Sequence, residues 1–303
     1  MKSQDLTSGS ITRHICHLAL PSSIGLFFQT MYNVVDSVYA GEISKLALAA
    51  LGLSFPVYLL IIATSGGLSR GASALISNAI GSGDRQRQQA YVAQAMSVAI
   101  VISACLTVAG ICFTEPLFRL LGADGEYLQI SLRYMIPVFC GASFFVLINL
   151  CNAILVASGD SKTFGVVLVA GFFANLVLDP WFLYGGYGVP AMGIAGIAWA
   201  TVVIQGVGSL VLLTTVIRRK LLVLNTWTDL LPDLKVYREI ARQAVPASFN
   251  IMQVAISFFV ITYFLKTFGE ANVAAFGVTT RICLLYTSPS PRDLSTSRMP
   301  SSA

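Results

Sequence analysis

Two acidic side chains stand inside long apolar stretches of this 303-residue sequence, at Asp36 and Asp179. The other twelve of its fourteen acidic residues fall in loops, short connections, a linker or the C-terminal tail. An unpaired carboxylate in hydrocarbon costs roughly 2.5–3.5 kcal/mol even on a lenient insertion scale, so a retained one indicates a function. Neither stretch contains a Lys or Arg that could neutralise its acid. We predict a proton or cation site; the alternative is acids that only meet interfacial water or a basic residue near the outer surface.

Polar side chains accompany each acid at helical spacing. Gln29 and Asn33 precede Asp36 by seven and three residues. Asn175 precedes Asp179 by four residues, so each helix has one polar stripe. Two such stripes facing a shared interior would surround a cation or proton. The alternative for Asn33 and Asn175 is a purely structural role in hydrogen bonding between helices.

A proline directly follows the second acid. Pro180 cannot donate to the carbonyl of Leu176, so we expect a kinked helix with a free carbonyl oxygen beside Asp179. That oxygen could help to hold a cation. Prolines are common in membrane helices, so a kink at any one of four others in apolar runs does not by itself indicate a function: Pro21, Pro56, Pro137 and Pro246.

The composition indicates which elements must position these residues. Apolar residues make up 55% of the sequence and charged residues 11%, with a mean hydropathy of +0.75. This composition does not suit a water-facing surface, and the small, scattered net charge of +5 argues against a nucleic-acid partner. The apolar runs are continuous rather than alternating, which predicts an all-α, polytopic helical membrane bundle and not a barrel. About seven to eight runs approach the length that crosses a bilayer: 15–40, 46–69, 90–113, 134–157, 163–184, 193–217, 244–265 and 270–285.

The basic residues favour one orientation. With the N-terminus inside the cell, the predicted inside segments contain twelve Lys and Arg and the outside segments contain four. An excess of positive charge on the inside is the normal arrangement. We therefore predict a multi-pass protein of the cell membrane with a cytoplasmic N-terminus. The inside segments are 1–14, 70–89, 158–162 and 218–243.

A weak internal repeat predicts two related halves. A shift of 225 residues places residues 20–23 (LPSS) on 245–248 (VPAS), and 49–52 (AALG) on 274–277 (AAFG). Six spans separate the copies, so both have the same orientation and a pseudo-twofold axis along the membrane normal relates them. We expect two pseudo-symmetric six-helix lobes, with the second incomplete. The predicted divisions are a first lobe at 1–217, a cytoplasmic linker at 218–243, a truncated start of the second lobe at 244–285, and a Pro- and Ser-rich tail at 286–303 that is either foreign to the fold or naturally disordered.

Several segments, in order along the chain, carry a family resemblance. They are PSSIGLFFQTMYNVVDSVYAG at 21–41, ALGLSFP at 50–56, GASALISNAIGSG at 71–83, NAILVASGD at 152–160, NLVLDP at 175–180 and PAMGIAGIAWAT at 190–201. Over residues 10 to about 285 the chain resembles the multidrug and toxic compound extrusion (MATE) family. The resemblance implies a twelve-helix antiporter that exports cationic or amphipathic drugs and metabolites, driven by inward flow of Na⁺ or H⁺. It implies no cofactor beyond that coupling ion, and we expect a monomer in the lipid bilayer that binds small organic cations.

The resemblance also assigns roles to residues. Asp36 and Asp179 fall on the coupling carboxylates of the first lobe, and Asn175 joins them as a further oxygen ligand if the ion is Na⁺. The other expected members of the coupling site are Asn33, from the polar stripe, and Tyr134 and Thr201. Positions that line the substrate cavity correspond to Gln29, Tyr32, Asn149 and Asn152. We expect Pro21 and Pro180 to act as hinges.

Two departures from the family pattern qualify these expectations. Some family branches carry a carboxylate in the seventh helix, whereas this span offers Asn250 and Gln253, which favours a coupling site in the first lobe. The last four helices of the family pattern are missing from the sequence. We therefore expect the chain to be inactive by itself.

Three other functions fit the sequence less well. A lipid-linked oligosaccharide flippase of the same superfamily would need basic residues in its cavity for pyrophosphate, and none stands in mid-span before Arg281. A seven-helix receptor would normally have its N-terminus outside, against the charge distribution. An enzyme would need a nucleophile with its base or a similar cluster, and no such arrangement is recognisable.

Overall fold

The computed structural model describes residues 11–186, 188–223 and 230–286, and these are almost entirely helical. They form nine α-helices, with a 3₁₀ turn at Lys266–Phe268 and one isolated backbone bridge between Gly186 and Val189. The predicted tail lies outside the described residues, except for residue 286. The helices are α1 (Ile11–Ile43), α2 (Lys45–Gly81), α3 (Arg85–Leu120), α4 (Gly125–Cys140), α5 (Ala142–Ala157), α6 (Lys162–Tyr184), α7 (Ile194–Arg218), α8 (Leu234–Leu265) and α9 (Glu270–Tyr286).

Helix α2 is the centre of the bundle. It contacts α1, α3, α4, α5, α8 and α9, and most of its side chains are buried. Its first turn is capped by Ser44, whose Oγ accepts a hydrogen bond from the backbone N–H of Ala47 at 3.0 Å. Leu51 and Leu68 lie in the two main hydrophobic clusters, so this one helix joins both parts of the core.

The predicted membrane spans are helical over almost all of their length, which confirms the all-α class. Among the described residues, α2, α3, α6, α7 and α8 with its 3₁₀ extension are long and apolar enough to cross a membrane. The pair α4 and α5 makes a sixth span when it is counted as one bent unit. Helix α1 has 33 residues but carries the polar stripe, and α9 has 17, so neither belongs to that set.

The fourth predicted span, 134–157, is a broken helix, and the break between α4 and α5 lies close to the kink predicted at Pro137. Helix α4 begins earlier, at Gly125, and the chain bends by 49° where α4 meets α5. Pro137 weakens the helix before this bend because it has no N–H to donate. Gly141 occupies the bend itself, and a Cβ there would lie only 2.6 Å from a methyl group of Val202 in α7. The bend therefore lets α4 and α5 pack closely against α7.

Several helices extend beyond the predicted spans. Most of the predicted inside segment 70–89 is helical, and α8 begins ten residues before its predicted start, within the predicted linker. The carboxylates of Asp84 and Asp233 cap these helix starts by accepting from the backbone N–H groups of Arg87 at 3.0 Å and Lys235 at 2.9 Å. Hydropathy identifies only the part of a helix that lies in hydrocarbon, so it misses capped extensions into water.

The helix ends agree with the 225-residue repeat. Ser44 separates α1 from α2, and its repeat partner Gly269 separates the 3₁₀ turn from α9. Gly52 and Gly277 are also repeat partners, and they lie against each other: a Cβ at Gly277 would collide with the Cα of Gly52. Equivalent residues can meet only near the axis that relates the copies. If the predicted pseudo-twofold axis relates the copies, it passes near the crossing of α2 and α9.

A set of polar contacts, named the α3–α8 clasp, joins α3 to the start of α8. The amide of Gln94 donates to the carbonyl of Leu231 at 2.9 Å and accepts from the backbone N–H of Asp233 at 3.0 Å. The hydroxyls of Ser97 and Tyr237 lie 2.8 Å apart. These part-buried polar groups satisfy one another, so the clasp fixes the segment before α8 against α3.

Candidate functional site

Helices α1 and α6 pack side by side in the same direction. The backbones approach closely where the middle of α1 meets the beginning of α6, since a Cβ at Gly25 would lie 3.1 Å from the Cα of Gly165. Near their ends the hydroxyl of Tyr184 donates to the carboxylate of Glu42 at 2.9 Å. Each contact pairs residues that are about equally far apart in sequence, Gly25 with Gly165 and Glu42 with Tyr184. The residues of α1 and α6 between these two contacts therefore lie side by side. This packing brings the two polar stripes together.

The two predicted acids meet at this contact. Asp36 is 2% exposed, and Asn175 and Asp179 are fully buried. The side-chain amide of Asn175 donates to Oδ1 of Asp36 at 3.1 Å. The Asp179 carboxyl group lies beside Asp36 and Asn175, close enough for the two acids to repel each other when both are ionised.

Several buried oxygens at this point have no hydrogen-bond partner among the described residues. They are both carboxylate oxygens of Asp179, Oδ1 of Asn175 and the hydroxyl of Tyr32. An unsatisfied buried polar group costs about 1–3 kcal/mol, so such a group in a native fold needs an explanation. Carboxylate, amide and hydroxyl oxygens are the ligands that hard cations prefer. The donor set therefore fits a small hard cation such as Na⁺, and a proton shared by the acids would relieve the same repulsion.

Tyr32 connects the acids to two other predicted residues. Its buried hydroxyl lies within electrostatic range of Asp36 and Asp179, and it also faces Thr201 and Tyr134. Thr201 donates its own hydroxyl hydrogen to the carbonyl of Ile197 at 3.1 Å, so its oxygen remains available as an acceptor for the Tyr32 hydroxyl that faces it. Tyr32, predicted as a substrate-cavity residue, thus also borders the acid pair.

A small cavity lies on the other side of Tyr32. Its volume is about 30 Å³, which has room for one or two water molecules. Gln29 and Asn33 line it, and Asn33 donates to the carbonyl of Gln29 at 2.9 Å. Two polar lining residues were not predicted, Tyr58 in α2 and Gln205 in α7. The signal for Gln205 was its spacing, four residues after the predicted Thr201 on the same helix.

The two asparagines of α5 do not line this cavity. The amide of Asn149 donates to the carbonyl of Phe145 in its own helix at 2.8 Å. Asn152 has a buried Oδ1 without a partner among the described residues. The structure thus gathers the polar residues of α1, α6 and α7 and leaves those of α5 apart from them.

The predicted hinges lie within continuous helices. Pro21 falls inside α1 and Pro180 inside α6, which remains helical as far as Tyr184. The side chain of Pro21 is outside the described part of the molecule. Bending at either proline stays a prediction.

A partly buried ion pair at the opposite end of α6 was not predicted. Arg219 contacts Asp160 at 2.6 Å, and Asp160 also caps α6 by accepting from the backbone N–H groups of Lys162 at 3.0 Å and Thr163 at 3.1 Å. The signal was an acid two residues before the helix start, from where a carboxylate can accept from the first backbone N–H groups of the helix. This pair ties the end of α7 to the start of α6 and so helps to hold the α6 stripe in place.

Comparison with known proteins gives consistent matches. The family model MatE matches residues 21–181, more than half of the chain. A protein named FAD transporter from Shewanella oneidensis is 31% identical over 65% of this chain and 43% of its own length. The probable multidrug resistance protein YoeA from Bacillus subtilis is 28% identical over 92% of this chain and 61% of its own length. A crystal structure of MATE in complex with MaD3S has a TM-score of 0.79 and 30% identity, and the match covers 94% of this chain and 64% of that one.

These matches extend through the helices that carry both acids. The chain spans between 43% and 61% of the length of the two curated relatives, so it aligns with part of each. The matched residues 21–181 contain Asp36, Asn175 and Asp179. With this family model over more than half of its length and the fold of solved members, the chain belongs to the MATE family of membrane transporters.

Proposed function

We propose that this chain forms the first lobe and the start of the second lobe of a cation-coupled antiporter that exports cationic or amphipathic drugs and metabolites. The observation that carries the proposal is the buried Asp36–Asp179 pair with its unsatisfied oxygens. Relatives named as multidrug resistance proteins support the class of substrate. In this proposal, the helices that complete the transporter resemble the part of those relatives that this chain does not cover.

Coupling would begin with neutralisation of the acid pair. A proton or Na⁺ that enters between Asp36 and Asp179 removes their mutual repulsion and satisfies the orphan oxygens. Asn175 contributes one more oxygen and already holds Asp36 in place. The cation shifts the conformation only by its differential affinity for the two states.

Tyr32 provides the physical link from the acid pair to substrate. Its hydroxyl faces the acids, while its side chain also lines the 30 Å³ cavity with Gln29 and Asn33. A cavity of this size is too small for a drug, so the substrate requires α1 to move away from α7. Neutralising the acids would favour the contracted cavity, and drug and cation would therefore compete.

The charge of the site favours a cationic substrate. Among the described residues, the cavity lining contains no Lys or Arg, and the nearest charged groups are the two acids. FAD, which gives one relative its name, is an anion and would be repelled by this pair. The same absence of basic residues argues against a pyrophosphate-linked substrate.

The orientation is also a proposal and has a direct test. In a background without native cysteines, a cysteine at Ser82 should react with an impermeant reagent only from the cytoplasmic side. A cysteine at Asp124, at the opposite end of α3, should react only from outside. Both positions are exposed. The reverse labelling pattern would overturn the orientation.

Transport itself is tested in cells that produce the complete transporter. The unsubstituted protein should lower the accumulation of a cationic dye, and Asp36→Asn should return accumulation to the level of cells without the transporter. Glu42→Gln is the matched control, since Glu42 is an exposed acid on the same helix and accepts a hydrogen bond from Tyr184, which a glutamine oxygen can also accept. Efflux by Asp36→Asn equal to that of Glu42→Gln, at equal expression, would remove the acid pair from the mechanism.

A further inference from the structure

A second, larger groove lies away from the acid pair, between α2, α3 and the first half of α8. Its volume is about 450 Å³, within the range of small-molecule sites. The walls are mainly apolar, and only a few polar groups reach them. Six of the lining residues define its walls and its two ends: Leu68, Val98, Ile102, Arg238, Ala241 and Ser248. This set is named the α2–α3–α8 groove.

One end of the groove is positively charged. Arg238 lines it, and Lys235 and Arg242 stand three residues before and four residues after Arg238 on the same face of α8. All three are exposed, and none forms an ion pair within the part of the chain that the structure describes. The neighbouring acid Glu239 is engaged instead by the hydroxyl of Tyr91 at 2.6 Å. The basic end is therefore available to an anion.

The length of the groove matches one leaflet of a bilayer. From Arg238 to Ser248 the helix advances ten residues, or about 15 Å at 1.5 Å per residue. The hydrocarbon core of a bilayer is about 30 Å thick, so one leaflet accounts for about half of it. An extended acyl chain that lies along α8 would thus end near mid-membrane, with its charged head at Arg238.

We propose that the α2–α3–α8 groove binds an anionic phospholipid, with one acyl chain along the apolar wall and the phosphate at Arg238, assisted by Lys235 and Arg242. Guanidinium groups pair well with phosphate oxygens, and basic pockets between membrane helices are suited to lipid head groups. A neutral lipid would leave the basic end unpaired, and a soluble anion would leave the apolar wall exposed. The assignment to the cytoplasmic leaflet depends on the proposed orientation, but the binding does not.

Such a lipid would lie at the contact between α8 and the helices α2 and α3. The groove has walls from α2 and α3 on one side and α8 on the other, and Tyr237 of the α3–α8 clasp also lines it. A bound lipid therefore adds contacts across the same boundary that the clasp closes. We expect it to favour the arrangement in which α3 and α8 remain together.

The test measures lipid binding to the purified full chain in neutral detergent by native mass spectrometry. Dioleoyl phosphatidylglycerol should bind in a 1:1 complex, and dioleoyl phosphatidylcholine and dioleoylglycerol should bind at least about tenfold more weakly. Arg238→Gln should lower phosphatidylglycerol affinity about tenfold, because a charge-assisted contact is lost. Arg85→Gln, an exposed basic residue at the start of α3, should leave it unchanged.

The apolar wall needs its own variant. Ala241→Leu fills the groove with a residue that favours helix, so it should weaken phosphatidylglycerol binding while the melting temperature is retained. Binding that is equal in the unsubstituted chain, Arg238→Gln and Ala241→Leu would overturn the proposal. Glycerol phosphate binding as tight as that of phosphatidylglycerol would also overturn it, since the acyl chain would then contribute nothing. Asp36→Asn should bind lipid normally, which separates this proposal from the proposed transport function.

Discussion

Helices α1 and α8 occupy equivalent places in the 225-residue repeat but carry different chemistry. Asp36 in α1 corresponds to Ile261 in α8, and Tyr32 corresponds to Ser257. Helix α1 is followed by the single residue Ser44, and α8 is followed by a 3₁₀ turn and then Gly269 at the same repeat position. In each copy the next helix takes part in the Gly52–Gly277 contact. The backbone is thus repeated and the polar stripe is not. The repeated backbone arrangement determines where the helices lie. The side chains, which differ between the copies, determine which helix carries the acid site.

The variant with the largest expected effect on this difference between α1 and α8 removes one acid, Asp179. Asp179→Asn should abolish the response of the purified chain to its coupling ion, because it deletes one of the two anionic ligands. In the unsubstituted chain, a cation at 100 times its Kd should stabilise the fold by about 2.7 kcal/mol. The measurement is the melting temperature in detergent against Na⁺ at fixed pH and then against pH at fixed Na⁺.

Asp179→Asn should also melt higher than the unsubstituted chain when no cation is added, since the repulsion with Asp36 is gone. Ser257→Ala in α8 is the matched control, and it should keep the full cation response. If Asp179→Asn responds like Ser257→Ala to both Na⁺ and pH, the chemical difference between α1 and α8 has no role in coupling.

A second test concerns what the two repeats share. Gly277→Ala should destabilise the chain by about 1–3 kcal/mol, because its methyl group collides with the backbone of α2. Gly52→Ala should cost less, since the nearest atom to its Cβ is the carbonyl oxygen of Val273 at 3.2 Å. Gly41→Ala is the control: its nearest neighbour is 3.9 Å away, so stability should be unchanged or slightly higher. Chemical denaturation in mixed micelles would rank the three, and an unaffected Gly277→Ala would contradict the close crossing.

A third test concerns the polar contacts between α3 and α8, and it includes the smallest expected effect. Gln94→Leu removes two buried hydrogen bonds of the α3–α8 clasp and should cost about 1–3 kcal/mol. Tyr91→Phe removes an exposed hydrogen bond to Glu239 and should cost less than about 1 kcal/mol. Hydrogen exchange at the start of α8 should rise clearly in the first variant and little in the second. Equal exchange in both would mean that the clasp does not hold α8.

The acid pair itself was predictable from the sequence, while the groups around it were only partly so. Asp36 and Asp179 were conspicuous because charge is rare in apolar spans, and an equal direction of the two spans implied a similar depth. The side-by-side packing that lets Asn175 reach Asp36 depends on contacts such as Gly25 with Gly165, which no local pattern indicates. For the same reason the grouping of Tyr32 with the acids could not be derived from spacing alone.

Helix lengths and breaks could also be predicted only in part from the sequence. The runs themselves were clear from hydropathy, but the break at Gly141 depends on the fit of that glycine against α7. The clasp residues Gln94 and Ser97 look like ordinary polar residues near a helix end in sequence. Their partners lie more than 130 residues further on, at Leu230, Leu231 and Asp233. Tertiary partners at that distance leave no periodic signal.

The glycine crossing has a consequence for the ancestry of the fold. A single chain that carried only one copy of the repeat would present Gly52 at the surface of α2, in the place where Gly277 now lies. Two such chains in the same orientation could meet there through identical patches, which is the geometry of an isologous homodimer. Duplication and fusion of the gene for such a dimer would place both copies on one chain and turn that interface into a contact like the one between α2 and α9. Its small side chains would have allowed the two identical helices to approach closely before either copy had acquired separate chemistry.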